Sequence, residues 1–276
     1  MDAFICTACG TQHPPSEAPP PRCSICEDER QFLLPSGQGW TTQKELAVGH
    51  ANAWRQHEPG VLGIGTEPTF AIGQRALLLR TPHGNVLWDC VSLLDAATVT
   101  LIEALGGVQA MAISHPHFYT TMVEWARAFN VPVHLHAADR SWIVRPDPAL
   151  KLWDGETLPL LPEVTLIRGG GHFPGSAVLH WRQGADSRGV LCSSDTAMVA
   201  ADRKSLSFMR SYPNLIPLPA RAVERIAAAL APFAFERIYG IFFDRVIPTG
   251  GKQALEASVA RYLAAVGRGD TDTSGR

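Results

Sequence analysis

The feature that most constrains the fold of this chain is a set of four cysteines near its N-terminus. Cys6 and Cys9 form one C-x-x-C pair, and Cys23 and Cys26 form a second pair after thirteen intervening residues. Each pair can turn tightly enough to place both sulfurs on one metal ion, and four thiolates satisfy tetrahedral zinc without an open coordination position. The first 35 residues contain almost no aliphatic side chains before Phe32. This segment therefore cannot build a core of its own, and we predict that bound metal supplies its folding free energy.

The total cysteine count agrees with a metal site. Six cysteines are few for a secreted disulfide scaffold, and C-x-x-C pairs in a reducing compartment favour metal over disulfides. We predict structural zinc, with iron on the same four thiolates or a pair of disulfides as the alternatives. The N-terminus MDAFICTACG has neither the charged nor the apolar region of a signal peptide, so we expect a cytoplasmic protein.

Composition and charge restrict the partners. The chain has 276 residues, of which 46% are hydrophobic and 18% charged, which excludes a disordered chain or a coiled coil. The formal net charge of −2 offers no broad basic field for nucleic acid, and no apolar run approaches the ~20 residues of a membrane span. We expect a small-molecule substrate, no nucleic acid and no membrane; a homo-oligomer is compatible with the sequence.

Short apolar runs alternate with helical stretches along the rest of the chain. Residues 69–90 read as a hairpin around the turn TPHGN, and further strands are predicted at VQAMAIS, VPVHLH, VTLIRG, SAVLHWRQ, GVLC and RIYGIFF. Helices are predicted over residues 92–105, 121–129, 219–230 and 251–266. This alternation predicts an α/β protein with helices outside layered sheets. We place the domain boundaries at residues 1–36, 37–268 and 269–276, the last being a frayed tail.

Three of the loops that follow strands carry metal-binding side chains. His115-Pro116-His117 follows AMAIS, His172 lies in GGGHFPGS, and Asp195 lies in SSDT after GVLC. Strand ends of an α/β sheet are the usual place for a site, and three imidazoles with one carboxylate make a suitable set of ligands for zinc or iron. The glycines before His172 would let backbone approach the metal closely.

These motifs, in this order, resemble those of the metallo-β-lactamase-fold hydrolases. The resemblance extends from about Thr66 to Val266, through the hairpin ending WDC, the H-P-H loop, GGxHxPGS and SSD. It implies an αββα sandwich with a metal centre at one edge of the two sheets. The cysteine segment in front resembles a zinc ribbon of the rubredoxin-like kind.

The departures from the family pattern concern one of its two metal sites. The family loop reads H-x-H-x-D-H, whereas this chain has Tyr119 and Thr120 at the last two positions, and Asp244 lies where the family has a late histidine. The resemblance therefore implies one metal, held by His115, His117, His172 and Asp195.

The function implied by the resemblance is a metal-dependent hydrolase. We expect a mononuclear zinc centre that activates water against a small ester, thioester, lactone or amide. We assign Tyr119 as a hydrogen-bond donor to a developing oxyanion, Asp195 and Asp244 as groups that assist proton transfer, and Arg210 and Tyr212 as substrate-binding residues. One alternative is an oxidoreductase similar to persulfide dioxygenases, with iron at His115, His172 and Asp195. The other is a non-catalytic, metal-containing binding protein.

Overall fold

Residues 1–267 are described by the computed structural model; the predicted frayed tail, residues 269–276, lies outside the described residues. The chain begins with the cysteine segment, residues 1–36, which we call the cysteine knuckle. Its strand β1 (Ile5–Cys6) pairs antiparallel with β2 (Trp40–Thr41), and helix α1 (Gln43–Gly49) follows. Because this pairing joins the knuckle to residues beyond 36, the boundary at that residue stays a prediction.

The first large sheet has seven strands in sequential order. Strands β3 to β6 form an antiparallel meander, and β6 to β9 run parallel with helices between them. The elements are β3 (Ala51–Glu58), β4 (Val61–Glu67), β5 (Arg75–Thr81), β6 (Gly84–Trp88), α2 (Ala96–Ala104), β7 (Ala110–Ala112), α3 (Met122–Phe129), β8 (Val133–His136) and β9 (Leu150–Trp153). The predicted hairpin is confirmed as β5 and β6, which pair up to the Thr81–Gly84 turn. The hairpin of β3 and β4 was not among the predicted strands.

The second large sheet has six strands, in the order β10-β11-β12-β13-β18-β19, with β13 and β18 parallel and the other pairs antiparallel. Two short strand pairs, β14 with β15 and β16 with β17, lie in the connection from β13 to the next helix. The elements are β10 (Thr157–Leu161), β11 (Val164–Arg168), β12 (Ala177–Trp181), β13 (Val190–Cys192), β14 (Met198–Val199), β15 (Leu206–Ser207), β16 (Met209–Ser211), β17 (Ile216–Pro217), α4 (Ala220–Leu230), β18 (Arg237–Tyr239), β19 (Val246–Ile247) and α5 (Gly251–Val266).

Alternating side chains of the strands produce the layers. In β5, Leu77 and Leu79 belong to a core shared with the second sheet, whereas Ala76 and Leu78 belong to a core shared with helix α3. Successive side chains of a strand point to opposite faces, so a continuous apolar run is buried on both. A third core lies between the second sheet and helices α4 and α5. The order of layers is helix, sheet, sheet, helix, which confirms the αββα sandwich.

The cysteine knuckle packs against loops that follow strands of both sheets. Its core consists of the four cysteines and Ile25, and Ile72 and Trp142 of the main domain pack against it. The Ser92 hydroxyl donates to the carbonyl of Gly10 at 3.1 Å, and a Cβ on Gly10 would lie 2.3 Å from that hydroxyl oxygen. Glycine is therefore required where the knuckle meets the domain.

Within residues 1–267, each helix is too short or too polar to traverse a lipid bilayer.

Candidate metal centre

The predicted imidazole and carboxylate ligands meet at one edge of the sandwich. His115 directly precedes the 3₁₀ turn Pro116–Phe118 after β7, and His117 lies within this turn. His172 lies between β11 and β12. Asp195 lies in the 3₁₀ turn Ser194–Thr196 after β13. All four side chains are buried, and one donor atom from each lies within 4.8 Å of the other three. We call this group the histidine cluster. Strand ends from both sheets converge here, as the sequence predicted.

Distances within the histidine cluster match a shared metal ion. His172 Nε2 lies 3.2 Å from His117 Nδ1, His115 Nε2 lies 3.3 Å from Asp195 Oδ2, and His172 Nε2 lies 3.8 Å from the same oxygen. Ligands at about 2.0–2.1 Å from tetrahedral zinc are separated from one another by roughly 3.3 Å. Among the described residues, His115 Nε2 is a buried atom without a hydrogen-bond partner, and Asp195 Oδ2 faces it. A bound cation would satisfy such groups, so the residues present fit a metal.

A hydrogen-bond network orients His115 within the cluster. Its Nδ1 lies 2.8 Å from the hydroxyl oxygen of Ser114, which donates to Asp89 Oδ1 at 2.8 Å. The backbone amide of Ser114 donates to the same Asp89 oxygen, and the Ser194 hydroxyl donates to that of Ser114. With its hydroxyl proton given to Asp89, Ser114 accepts from His115 Nδ1–H, which leaves the Nε2 lone pair facing the cluster. The sequence reasoning assigned no role to Asp89, although this acid directly follows the buried run VLW.

The other imidazoles and the carboxylate are in the protonation states that a metal requires. His172 Nδ1 donates to the carbonyl of Met209 at 3.1 Å, so its Nε2 lone pair also faces the cluster. Burial, together with the neighbouring His115, lowers the pKa of His172 to about 4, and burial followed by His172 lowers that of His117 well below its ordinary value. Burial tends to raise the pKa of Asp195, but its contact with His115 outweighs this and lowers it. These three ligands are therefore deprotonated at neutral pH.

Gly171, directly before His172, packs closely on the main domain. It has φ +80°, and a Cβ there would lie 2.8 Å from Leu218 Cδ1 and 3.0 Å from Ile226 Cδ1. The glycine thus permits close packing of the loop on helix α4.

One side of the histidine cluster borders a cavity of about 370 Å³. His117, His172 and Asp195 form part of its wall, and Tyr212 is a further polar residue. Its remaining lining comes from the cysteine knuckle and from loops of the main domain: Ala8, Gln31, Phe32, Ala71, Ile72, Met198, Pro213, Ile241 and Phe242. The cluster can thus receive a small molecule.

The four cysteines form a second buried group of donors. Cys6 Sγ lies 3.5 Å from Cys26 Sγ, and Cys9 Sγ lies 3.6 Å from Cys23 Sγ. These separations are far longer than a disulfide bond of about 2.05 Å, and they approach the spacing of roughly 3.8 Å expected for thiolates about 2.3 Å from one zinc ion. The cysteines therefore lie in a geometry that suits a metal. Which metal they bind stays a prediction.

Two residues that the sequence assigned to catalysis lie away from the cavity. Asp244 is exposed and pairs with Arg245 at 3.0 Å, because the preceding Phe243 ring packs against Gly63 and Gly65 of β4 and turns Asp244 outward. The Tyr119 ring packs in the core between the first sheet and the helices, and burial raises the pKa of its hydroxyl well above its ordinary value. The structure brings neither residue to the histidine cluster.

The two predicted substrate-binding residues differ in position. Tyr212 lines the cavity, but its hydroxyl lies 2.9 Å from the carbonyl oxygen of Ser207 and 3.1 Å from that of Asp195, so its proton is engaged. Arg210 forms an ion pair with Glu29 of the cysteine knuckle. Its guanidinium thus joins the knuckle to the main domain.

Two arginines that the sequence reasoning did not select hold the surroundings of the cluster. Arg75 on β5 donates to the carbonyls of Gly240 and Phe243 at 3.0 and 3.3 Å, and its amide donates to that of Ile241, so it positions the loop that carries part of the cavity wall. Arg30 of the knuckle donates through Nε to the carbonyl of His172 at 2.8 Å. Neither arginine has a recognisable sequence motif, since each contacts backbone atoms of remote residues.

Comparison with solved structures identifies the class of fold. The structure matches VMB-1 with a TM-score of 0.58 and 12% identity, over 78% of this chain and 98% of that one. It matches MEM-A1, a subclass B3 metallo-β-lactamase from a soil metagenome library, with a TM-score of 0.50 and 18% identity, over 75% and 92% of the two chains. A metallo-β-lactamase from Cronobacter sakazakii, a HARLDQ motif mutant, gives 0.50 and 20%, over 77% and 92%. The chain therefore has the metallo-β-lactamase fold, as its motifs predicted.

Comparison with curated proteins identifies a relative over the whole length. The chain is 47% identical over 268 residues to the uncharacterized protein YmaE of Bacillus subtilis (strain 168), covering 96% of this chain and 97% of that protein. This chain belongs to the same family as YmaE. No family model matches it.

Proposed function

We propose that the protein is a metal-dependent hydrolase with one zinc ion at His115, His117, His172 and Asp195, acting on a small ester, thioester, lactone or amide. The observation that carries the proposal is the buried histidine cluster beside a cavity of about 370 Å³. Bound zinc would supply Lewis acidity that lowers the pKa of water from ~15.7 towards ~7. The fold is compatible with this chemistry but does not determine it.

We assign metal binding, ring orientation and proton acceptance to separate groups of the chain. Three imidazoles provide nitrogen donors, and the network through Ser114 and Asp89 fixes the ring of His115. Among the described residues of the cavity wall, Asp195 is the carboxylate, and its Oδ1 is buried without a hydrogen-bond partner. We assign proton acceptance to this oxygen. Tyr119 and Asp244 are no longer candidates, because their side chains do not line the cavity.

Zinc is favoured over the iron alternative by the number of donors. A facial triad of two histidines and one carboxylate leaves several positions open, whereas here His117 Nδ1 lies 3.2 Å from His172 Nε2 as a fourth donor. Zinc accepts three or four such donors and can expand to five-coordinate, so a position for water remains. The iron-dependent oxidoreductase would instead bind ferrous iron and consume oxygen with a persulfide.

The test is turnover and metal content of the zinc-loaded protein with a panel of esters and thioesters. We expect His117→Ala to lose one equivalent of metal and at least about a hundredfold in kcat/KM, the scale at which one catalytic interaction acts. His83→Ala, which changes an exposed histidine in the β5–β6 turn, is the matched control and should retain both. Unchanged turnover in His117→Ala would contradict the proposal. Oxygen uptake by an iron-loaded protein would favour the oxidoreductase.

A further inference from the structure

The wall of the cavity beside the histidine cluster is predominantly apolar. Phe32, Ile72, Met198, Pro213, Ile241 and Phe242 come from five separate segments and surround the donors. Among the described lining residues there is no lysine or arginine, and the carboxylate is the ligand Asp195. An apolar wall of this kind binds hydrocarbon groups, whereas a charged group buried against it would lose its hydration without a partner.

Nearby cationic side chains are committed to other groups. Arg30 donates to the carbonyl of His172 and lies 2.6 Å from Asp28 Oδ1, with its guanidinium 4.3 Å from the centre of the Phe173 ring. Arg210 is paired with Glu29. A substrate carboxylate in the cavity would have to displace one of these contacts to find a cation.

The cysteine knuckle supplies one side of the wall, and its backbone there is held firmly. The Asn214 amide donates to the carbonyls of Glu29 and Gln31 at 2.9 Å each, and the Ser211 hydroxyl donates to that of Arg30 at 3.0 Å. These hydrogen bonds hold the three backbone carbonyls directly before Phe32. Phe32 retains 48% exposure although it lines the cavity, so its ring stands between the cavity and solvent.

We propose that the cavity selects neutral substrates with a short apolar acyl group, and that Phe32 of the cysteine knuckle determines this specificity. The inference rests on the proposed hydrolase function and names its substrate class. A volume of about 370 Å³ lies near the lower end of the ~300–1,000 Å³ typical of small-molecule sites, which limits the length of the acyl group. The knuckle thereby takes part in substrate binding as well as in metal binding.

The activity test uses the full-length, zinc-loaded protein and p-nitrophenyl esters. From acetate to butanoate, kcat/KM should rise about fourfold per methylene, the value that corresponds to burial of ~0.8 kcal/mol each. The p-nitrophenyl ester of succinic acid, which carries a free carboxylate, should be at least roughly tenfold poorer than its neutral methyl ester. Equal rates across the acyl series, or a preference for the carboxylate, would overturn the inference while leaving the hydrolase intact.

The role of Phe32 is tested by comparing the Phe32→Ala variant with a variant of a neighbouring knuckle residue. Phe32→Ala should reduce the butanoate-to-acetate ratio of kcat/KM about threefold or more, because the smaller acyl group makes less contact with the wall. Leu34→Ala is the matched control, since Leu34 is 44% exposed and is not part of the lining. An unchanged ratio in Phe32→Ala would remove Phe32 from the proposal.

A binding measurement separates the two proposals. Hydroxamic acids bind zinc without being hydrolysed, so calorimetry can compare acetohydroxamic acid, hexanohydroxamic acid and the monohydroxamic acid of adipic acid. We expect the neutral hexano compound to bind tightest, and Phe32→Ala to weaken it selectively. If this order holds and no ester is turned over, the hydrolase proposal fails and the specificity stands. If the hydroxamic acids bind equally, the specificity fails whether or not esters are hydrolysed.

Discussion

The cysteine knuckle and the histidine cluster both gather four buried donors within 4.8 Å, but they do so in opposite ways. The cysteines lie between residues 6 and 26 in a segment whose core contains little besides the four sulfurs and Ile25. The histidine cluster draws on residues from 115 to 195, and strands of two sheets position them.

The two clusters differ in whether the surrounding structure can fold without a bound metal ion. The knuckle has too few apolar side chains to fold unaided, so its metal affinity and its stability are the same free energy. Around the histidine cluster, three apolar cores already hold the strands and helices in place. Three members of this second cluster form part of a cavity wall, which is the arrangement expected of a reactive rather than a structural site.

The largest effect should follow from removing a cysteine ligand. Cys23→Ser is expected to unfold the knuckle, since structural zinc contributes about 10 kcal/mol or more to such a segment. Hydrogen exchange of the Gly10 and Cys26 amides, which are bonded to Cys6 and Cys23 carbonyls, would become fast while strands of the second sheet stay protected. Cys192→Ala, a buried thiol outside the cluster, is the control. Retained protection of the knuckle in Cys23→Ser would contradict the contrast between the two clusters.

The next effect is the pH dependence of metal binding. Hydrogen bonds from Cys26, Cys6 and Cys9 lower the pKa of Cys23, and the bonds to Cys23 raise those of Cys9 and Cys26 far above their ordinary value. Metal must displace the protons that these thiols hold below their ordinary pKa of ~8.5, so the affinity of the knuckle should fall at least about a hundredfold per pH unit on acidification. His117, His172 and Asp195 are already deprotonated at neutral pH, so the histidine cluster should release fewer protons and lose less affinity per pH unit.

This contrast in proton release can be measured by calorimetry in buffers of different ionisation enthalpy. In Cys23→Ser, which lacks a cysteine ligand, the protons released on metal binding come from the histidine cluster. In His117→Ala, which lacks a histidine ligand, they come from the knuckle. If the two sites release similar numbers of protons, the expected difference between protonated cysteines and deprotonated histidine-cluster ligands is wrong.

A moderate effect is expected from the network behind His115. Asp89→Asn weakens the hydrogen bonds that fix Ser114 and, through it, the imidazole, so zinc affinity at the histidine cluster should fall about ten- to a hundredfold. Affinity at the cysteines should not change. The exposed Asp154→Asn is the control, and competition with a chelator provides the measurement. Equal losses at both clusters would point to general destabilisation instead.

The smallest effect concerns the contact that joins the two regions. Arg30→Ala removes the donor to the His172 carbonyl and should weaken zinc binding at the histidine cluster about five- to tenfold, which corresponds to the ~1–1.4 kcal/mol of a typical hydrogen bond. Arg22→Ala, which removes an exposed ion pair within the knuckle, should have no effect. If Arg30→Ala behaves like this control in a zinc titration, the two clusters bind metal independently.

Much of the fold could be predicted because its signals are local. The helix predicted over residues 251–266 has those bounds in the structure, and the helix predicted over 121–129 begins one residue later. The hairpin of β3 and β4 was not predicted, because β3 is largely half-exposed and polar, as in the stretch Arg55–Glu58. Such strands lack the apolar alternation on which prediction depends.

The site was predictable in its donors and not in its surroundings. Histidines and an aspartate after strand ends converge because strand ends share one edge of a sheet. Asp244 does not face the cavity, because the neighbouring Phe243 ring packs on Gly63 and Gly65. Tyr119 does not face it either, because its ring packs in the core between the first sheet and the helices. These outcomes involve residues far apart in sequence.

By itself, the sequence indicated the two sets of donors through their spacing and their places after strands. Its resemblance to the metallo-β-lactamase-fold hydrolases indicated the αββα order of elements, with Tyr119 and Thr120 at the positions of additional family ligands. The tertiary structure decided that the cysteine knuckle packs beside the histidine cluster, that Arg30 and Arg75 hold its surroundings, and that Phe32 lines the cavity. The physical reason is that a cavity is the space left between packed layers, and its shape depends on all of them at once.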